Sequence, residues 1–268
     1  MSAKIRTVQT EQFSMDYVCF GTGEKTFVIL PGLSVFRVGE FADSVEVAYE
    51  PFAEDFSVYL FDRRNELSAS YSVSQMADDT AIAMKTLGLK EICLFGASQG
   101  GMIAMTIAIR HPELIRNMVL GSTSPYVSDA QLSGLKSWVD LAKDKDKAGL
   151  FLKFGEMIYA PDAYHEMQKA MLGAASIAKD EDLERFVVLA KASEGFDVTS
   201  ELGKIKCPVL VLGSEDDAVL GAKASRDLFA GLEGHCKAEL FMYNGYGHAA
   251  YDMAPDYKER LIRFFLQN

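Results

Sequence analysis

Five short apolar runs constrain this chain more than any other feature: Val28–Leu30, Val58–Phe61, Ile92–Phe95, Met118–Leu120 and Val209–Leu212. Each stops at a Gly, Pro or Asp. Runs this short, rich in branched residues and without a polar alternate face, suit strands buried on both sides of a parallel sheet. Helix-length segments separate them. Ser74–Leu87 opens on Ser74 as a cap and ends before Gly88, and Gly100–Arg110 halts at His111-Pro112. Ala222–Leu232 stops near Gly234, and Pro255–Leu266 carries Leu261, Ile262, Phe264 and Phe265 on one side. Strand alternating with helix predicts an α/β fold with a mostly parallel central sheet flanked by helices. Arg6–Gln12 and Phe13–Phe20 read instead as an antiparallel pair ahead of the alternation, and Ala238–Tyr243 as a last strand.

One connection is far too long. About 80 residues separate Ser122 from Lys204, where a crossover between parallel strands needs only about a dozen. The excess is helical in pattern: Leu132, Leu135, Trp138 and Val139 share a face, and so do Leu150, Phe151, Phe154, Met157 and Ile158. These segments predict an inserted helical cap. The chain then divides into a first core part (1–122), the cap (123–204) and a second core part (205–268), and 268 residues suffice for one such α/β domain. Trp138, Phe151, Phe154 and Tyr159, with Tyr164 and Phe186, are candidates to line an apolar substrate pocket under the cap, against the simpler role of packing cap helix on cap helix. The run Lys143–Lys147 reads as a solvated turn.

Charge narrows the partners. With 27 Lys+Arg against 38 Asp+Glu the net charge is −11, which weighs against nucleic acid and anionic membrane surfaces and leaves a small-molecule substrate. Cys19, Cys93, Cys207 and Cys236 are far apart and form no CxxC pair, so no zinc site is suggested, and Cys93 and Cys207 read as small buried hydrophobes. Met1–Thr10 lacks the apolar segment of a secretory signal, and no stretch of 18 apolar residues occurs. Free thiols without an export signal point to a cytoplasmic protein. The sequence leaves monomer and homodimer equally open.

Gly96-Ala97-Ser98-Gln99-Gly100 fits G-x-S-x-G. The pattern alone is weak, but here it follows the strand Ile92–Phe95 and opens the helix at Gly100, the context in which it lifts a serine above a sheet. Gly96 and Gly100 supply the room that a sharp turn needs, and the helix N-terminus offers amides to a developing negative charge. A serine hydroxyl needs a base. Of His111, His165, His235 and His248, only His248 follows a buried strand in a glycine-rich loop, Asn244–Gly247. A third group must orient the imidazole, and Gly213-Ser214-Glu215-Asp216-Asp217 after the strand Val209–Leu212 offers Asp216 or Asp217. The order Ser, Asp, His is that of the α/β-hydrolases.

Over nearly its whole length the chain resembles the α/β-hydrolase fold family, in its lid-bearing serine esterase form. Leu30-Pro31-Gly32-Leu33 is similar to the family's oxyanion loop, with Leu-Pro where many members have His-Gly. Phe61-Asp62-Arg63-Arg64 resembles its Asp-Arg-Gly segment, with Arg64 in place of Gly. Gly96–Gly101, Ile109–Glu113 and Gly247-His248 match the elbow, the helix end after it and the histidine loop. The resemblance implies a triad of Ser98, Asp216 and His248, since the family's acid is the third residue after the strand-ending Gly. It implies oxyanion amides on Leu33 and Gln99, whose side chains the role does not need, so that their substitution is expected to be mild. It implies hydrolysis of a small or medium uncharged carboxylic ester, or related acyl compound, through an acyl-enzyme, with no cofactor and no metal. The same triad serves carbon–carbon bond hydrolases and serine haloperoxidases or perhydrolases. A Ser in the elbow in place of Asp weighs against the dehalogenase and epoxide-hydrolase branches. A non-catalytic ligand-binding protein on this fold is the alternative of another class.

Overall fold

The computed structural model describes residues 3–268, so the first two residues of the Met1–Thr10 segment and of the 1–122 core part lie outside it. A hairpin of β1 (Lys4–Gln9) and β2 (Ser14–Phe20) leads into β3 (Lys25–Leu30), α1 (Ala42–Ala48), β4 (Phe56–Arg64), α2 (Val73–Thr86), β5 (Ile92–Ala97), α3 (Gln99–Arg110) and β6 (Ile115–Gly121). Four helices follow without a strand between them: α4 (Asp129–Lys143), α5 (Lys147–Ile158), α6 (Pro161–Ile177) and α7 (Asp180–Lys191). The chain then returns through β7 (Val209–Ser214), α8 (Ala222–Leu232), β8 (Ala238–Tyr243), α9 (Ala250–Met253) and α10 (Tyr257–Gln267).

The strands form one sheet in the order β1-β2-β4-β3-β5-β6-β7-β8. β2 is antiparallel to both β1 and β4, and every other pairing is parallel. The reason is visible in the side chains. All six residues of β5 and of β7 are buried, which only a sheet covered on both faces allows. Met76, Met102, Ile103 and Leu228 from α2, α3 and α8 cover one face. Phe52, Tyr257, Leu261 and Phe265 cover the other and meet Phe27 and Phe56 of the sheet. Phe27 stacks on Phe52 at 4.7 Å between ring centres.

Several boundaries differ from the sequence reading, and the first strand, read as Arg6–Gln12, runs over Lys4–Gln9. α2 is capped by Ser72, not Ser74: its hydroxyl accepts from Gln75 N at 3.2 Å while Gln75 Oε1 accepts from Ser72 N at 2.9 Å. This reciprocal capping box uses the Ser-x-x-Gln spacing of 72–75, which the apolar periodicity does not reveal. The last helix starts at Tyr257, past Pro255.

The four inserted helices have their own apolar centre in Trp138, Val139, Leu150, Leu183 and Phe186. The turn after α4 is exposed, and Lys145 and Lys147 there pair with Asp180. What ties the insertion to the sheet is ionic and dry. Asp62, near the end of β4, pairs with Arg185 of α7, and both side chains are under one-tenth exposed. Asp62 also accepts from Arg63 N at 2.7 Å and from Val38 N at 3.2 Å. Removing one member of a buried pair strands the other charge and costs about 3–5 kcal/mol. Arg185→Met is therefore expected to lower stability by about that amount. Arg185→Met combined with Asp62→Asn should recover part of the loss, as measured by urea unfolding.

Candidate active site

Between β5 and α3 the backbone makes a turn that L-residues avoid. Ser98 has φ 52° and ψ −122°, outside the regions open to ordinary side chains. Neighbouring strands hold it there: Ser98 N donates to Gly121 O at 2.9 Å, and Thr123 Oγ1 donates to Ser98 O at 2.7 Å. The glycines are a spatial requirement. A Cβ on Gly100 would overlap the Leu30 carbonyl, and one on Gly96 would stand 2.5 Å from Gly100 O. Gln99 is the first residue of α3, so its N–H has no intrahelical acceptor. Leu33, Ser98, Gln99 and His248 all border one cavity.

His248 lies in the short turn after β8 and is 2% exposed. Its Nδ1 is 2.9 Å from Asp217 Oδ2. Asp217 is buried, and its other oxygen accepts from Val219 N at 2.8 Å and Leu220 N at 2.9 Å. Burial pushes this carboxyl's pKa up, but the His248 imidazole and the two amides outweigh that and hold it below the ordinary carboxylate range. An ionised carboxylate only accepts, so Nδ1 donates to Asp217 Oδ2, and in the neutral imidazole that tautomer places the lone pair on Nε2.

The partner of His248 is thus Asp217, which corrects the expectation of Asp216. β7 continues one residue beyond Gly213, through Ser214, and Glu215-Asp216 form the turn. Counting from the glycine therefore lands one residue early. Asp216 is exposed and accepts from one hydroxyl and two backbone amides: Oδ1 from Ser214 Oγ at 2.8 Å and Gly245 N at 3.1 Å, and Oδ2 from Gly247 N at 2.9 Å. Burial raises its pKa, yet these bonds win and hold it low.

The cavity measures about 40 Å³, and among the cap aromatics Trp138 and Phe154 border it, 4.6 Å apart between ring centres. Phe151, Tyr159, Tyr164 and Phe186 do not border it. Phe151 packs on Phe36 at 5.6 Å, and Phe186 is fully buried behind Phe154. Leu135, Ile158, Val219, Leu220 and Tyr251 complete the apolar wall. Of these, Tyr251 had a signal in the sequence: it follows His248 by three positions, and its ring meets the imidazole edge to face at 6.1 Å. Val219 and Leu220 sit in a loop, where periodicity says nothing.

Gln99 is the larger departure from expectation. Its side chain is not free but 3% exposed, donating to Leu189 O at 2.7 Å and Ser193 Oγ at 3.0 Å in the insertion. It also receives Arg63 Nη2 at 3.4 Å, and the same nitrogen donates to Pro31 O at 2.8 Å. Burial lowers the Arg63 pKa to about 10, still charged near neutrality. Arg63 thus spans the loop after β3 and the serine turn, and Gln99 carries the connection to α7. These contacts weigh against the expectation that substituting Gln99 is mild. His111 pairs with Asp78 near the surface, away from this cavity. Among the described residues no group of three or more His, Cys, Asp or Glu stands close enough to hold a metal, and no helix is long and apolar enough to cross a membrane.

Comparison with known proteins agrees with this architecture. The family model described as alpha/beta hydrolase fold matches residues 25–255. RutD of Agrobacterium fabrum, provisionally named a carbamate hydrolase, is 26% identical over 227 residues, spanning 81% of this chain and 85% of its own. An α/β-hydrolase enzyme from a Medee basin deep-sea metagenome library superposes with a TM-score of 0.87 at 21% identity, covering 98% of both chains. The enol-lactonase of Burkholderia xenovorans does so at 0.83 and 17%, covering 98% of this chain and all of its own.

Gln99→Ala leaves the Leu189 carbonyl and the Arg63 guanidinium short of a partner, and should cost about 1–3 kcal/mol, read as a lower thermal midpoint. Acid offers a second test. Asp217 has a folded pKa below its unfolded value of about 3.9, so its stabilisation is complete above that pH and is lost as pH falls through the folded value. The stability advantage of wild type over Asp217→Asn should therefore shrink as pH falls below about 4, as measured by urea unfolding at each pH.

Proposed function

The chain belongs to the α/β-hydrolase family, and we propose that it is a serine hydrolase acting on small uncharged carboxylic esters or related acyl compounds through an acyl-enzyme. The observation that carries this reading is the buried His248–Asp217 pair, whose histidine borders the same cavity as a serine in a strained turn. Ser98 Oγ attacks the carbonyl carbon while His248 Nε2 takes the hydroxyl proton. Asp217 keeps the imidazole in the tautomer that makes this possible and stabilises it once charged. The N–H groups of Gln99 and Leu33 receive the oxyanion, each such donor contributing about 10²–10³-fold in rate. The tetrahedral intermediate collapses as His248 passes its proton to the leaving group. A water, deprotonated by the same imidazole, then releases the acid and restores Ser98.

The inserted helices act as a cap in this scheme, and they favour small substrates. The cavity of about 40 Å³ is walled by Trp138, Phe154, Leu135 and Tyr251, with no Lys, Arg, Asp or Glu in its lining. An uncharged, short acyl group suits such walls. A carbamate carries the same electrophilic carbonyl, and the name of the relative RutD supports including small carbamates among the substrates to be tested. The protein is expected to work in the cytoplasm on a diffusible substrate.

A fluorophosphonate probe should label wild type and not Ser98→Ala. On p-nitrophenyl esters, acetate and butyrate should turn over faster than long-chain esters. Asp217→Asn should lower kcat by up to about 10⁴-fold. If wild type neither takes up the probe nor exceeds the His248→Ala control on esters and carbamates, the reading fails. Activity confined to a vinylogous diketone or to peroxide with halide would transfer the triad to the carbon–carbon or perhydrolase chemistry.

A further inference from the structure

The carboxylate left over once Asp217 is paired has an unusual set of partners. Asp216 reaches across to the loop after β8 and accepts from two of its amides, Gly245 N at 3.1 Å and Gly247 N at 2.9 Å. The Ser214 hydroxyl, at 2.8 Å and wholly buried, fixes the carboxylate from its own strand. Both glycines are left-handed, at φ 85° and 61°. Gly247 is wedged on its other side: a Cβ there would stand 2.7 Å from the Ile158 carbonyl of α5. The peptide that leads into His248 is therefore held from the β7 side by a charged acceptor and from the insertion side by contact. Asp216 neither borders the cavity nor bonds to the imidazole.

We propose that Asp216 is a positioning residue for the reaction described above: it sets the backbone of the histidine loop, while Asp217 sets the side chain. The proposal rests on the serine-hydrolase reading. Two adjacent carboxylates thus grip the same base at two points, one at residue 247 and one at the imidazole of 248. The physical reason to divide the task is that a single bond at Nδ1 ties one ring atom to Asp217 and leaves the ring free to pivot about that bond when its own backbone moves. If the loop shifts, Nε2 moves with it away from Ser98, and misplacement by about 1 Å can cost about 10²-fold in rate. Charge-assisted bonds to two amides resist that shift better than neutral ones.

The test compares wild type, Asp216→Ala and Asp216→Asn in the full chain. It measures p-nitrophenyl acetate kinetics, the rate of fluorophosphonate labelling at Ser98 and the thermal midpoint. Asp216→Ala should lower kcat about 10-fold with KM within about 2-fold, and the labelling rate should fall in parallel in protein that is still folded. Asp216→Asn keeps one oxygen able to accept from Gly247 N and should recover part of the loss. In an Asp217→Ala background, Asp216→Ala should cost less than it does alone, because the ring is already released. If wild type is labelled and Asp216→Ala matches its kcat and labelling rate, or loses both only in proportion to the fraction unfolded, the positioning role is overturned. If wild type is itself unlabelled and inactive, the serine-hydrolase reading falls and this inference with it.

Discussion

Six strands running the same way bring their C-terminal ends to one edge of the sheet. Everything chemically distinctive in this molecule stands there. Pro31–Leu33 follow β3, Asp62 and Arg63 lie near the end of β4, Ser98 follows β5 and Thr123 follows β6. Asp217 comes after β7 and His248 after β8. Residues far apart in sequence become neighbours because the strands are parallel. The strained turn at Ser98 is tolerable because Gly121 and Thr123, from the next strand and the loop after it, hold its backbone from the side.

How far this could be read from the sequence follows the physics of each signal. Strands buried on both faces are uniformly apolar and end at breakers, so the central strands and their parallel arrangement were legible. Ser98 was legible because its turn demands small neighbours at fixed offsets. His248 was legible because a single histidine among four follows a strand in a glycine-rich loop. The acid was not, since two carboxylates differ only in how far β7 runs before turning, and hydrogen bonding at Ser214 decides that. The cap aromatics were similarly ambiguous: an aromatic facing a cavity and one facing a neighbouring helix leave the same mark in a helical pattern. Trp138 and Phe154 border the cavity while Phe151 and Phe186 do not. Gln99 was misjudged because the motif treats its position as free, and only its contacts with a helix ninety residues away show otherwise.

The polar layer between sheet and insertion is unlike the apolar packing elsewhere. Gln99, Arg63, Asp62 and Arg185 are all under one-tenth exposed and bonded in that order. Such networks tolerate little displacement, because any member moved away leaves a buried group unpaired. On the α7 side, then, these buried contacts oppose a hinged opening of the insertion. The loop after β3 and the serine turn share the insertion's anchor through Arg63.

That anchor bears on how the fold can be altered by recombination. The four inserted helices occupy a single uninterrupted stretch between two strands, and by connectivity alone they look exchangeable for another insertion. Their removal would leave Asp62 and Arg63 facing solvent where they now face protein, with the Gln99 amide group reaching for a missing carbonyl. A foreign insertion grafted at residues 122 and 204 would need to present a cation opposite Asp62 and an acceptor opposite Gln99 at the same two positions. Chimeras in this region are therefore constrained less by the joining points than by little more than one helix turn, Arg185 to Leu189, in the last helix of the transplanted segment.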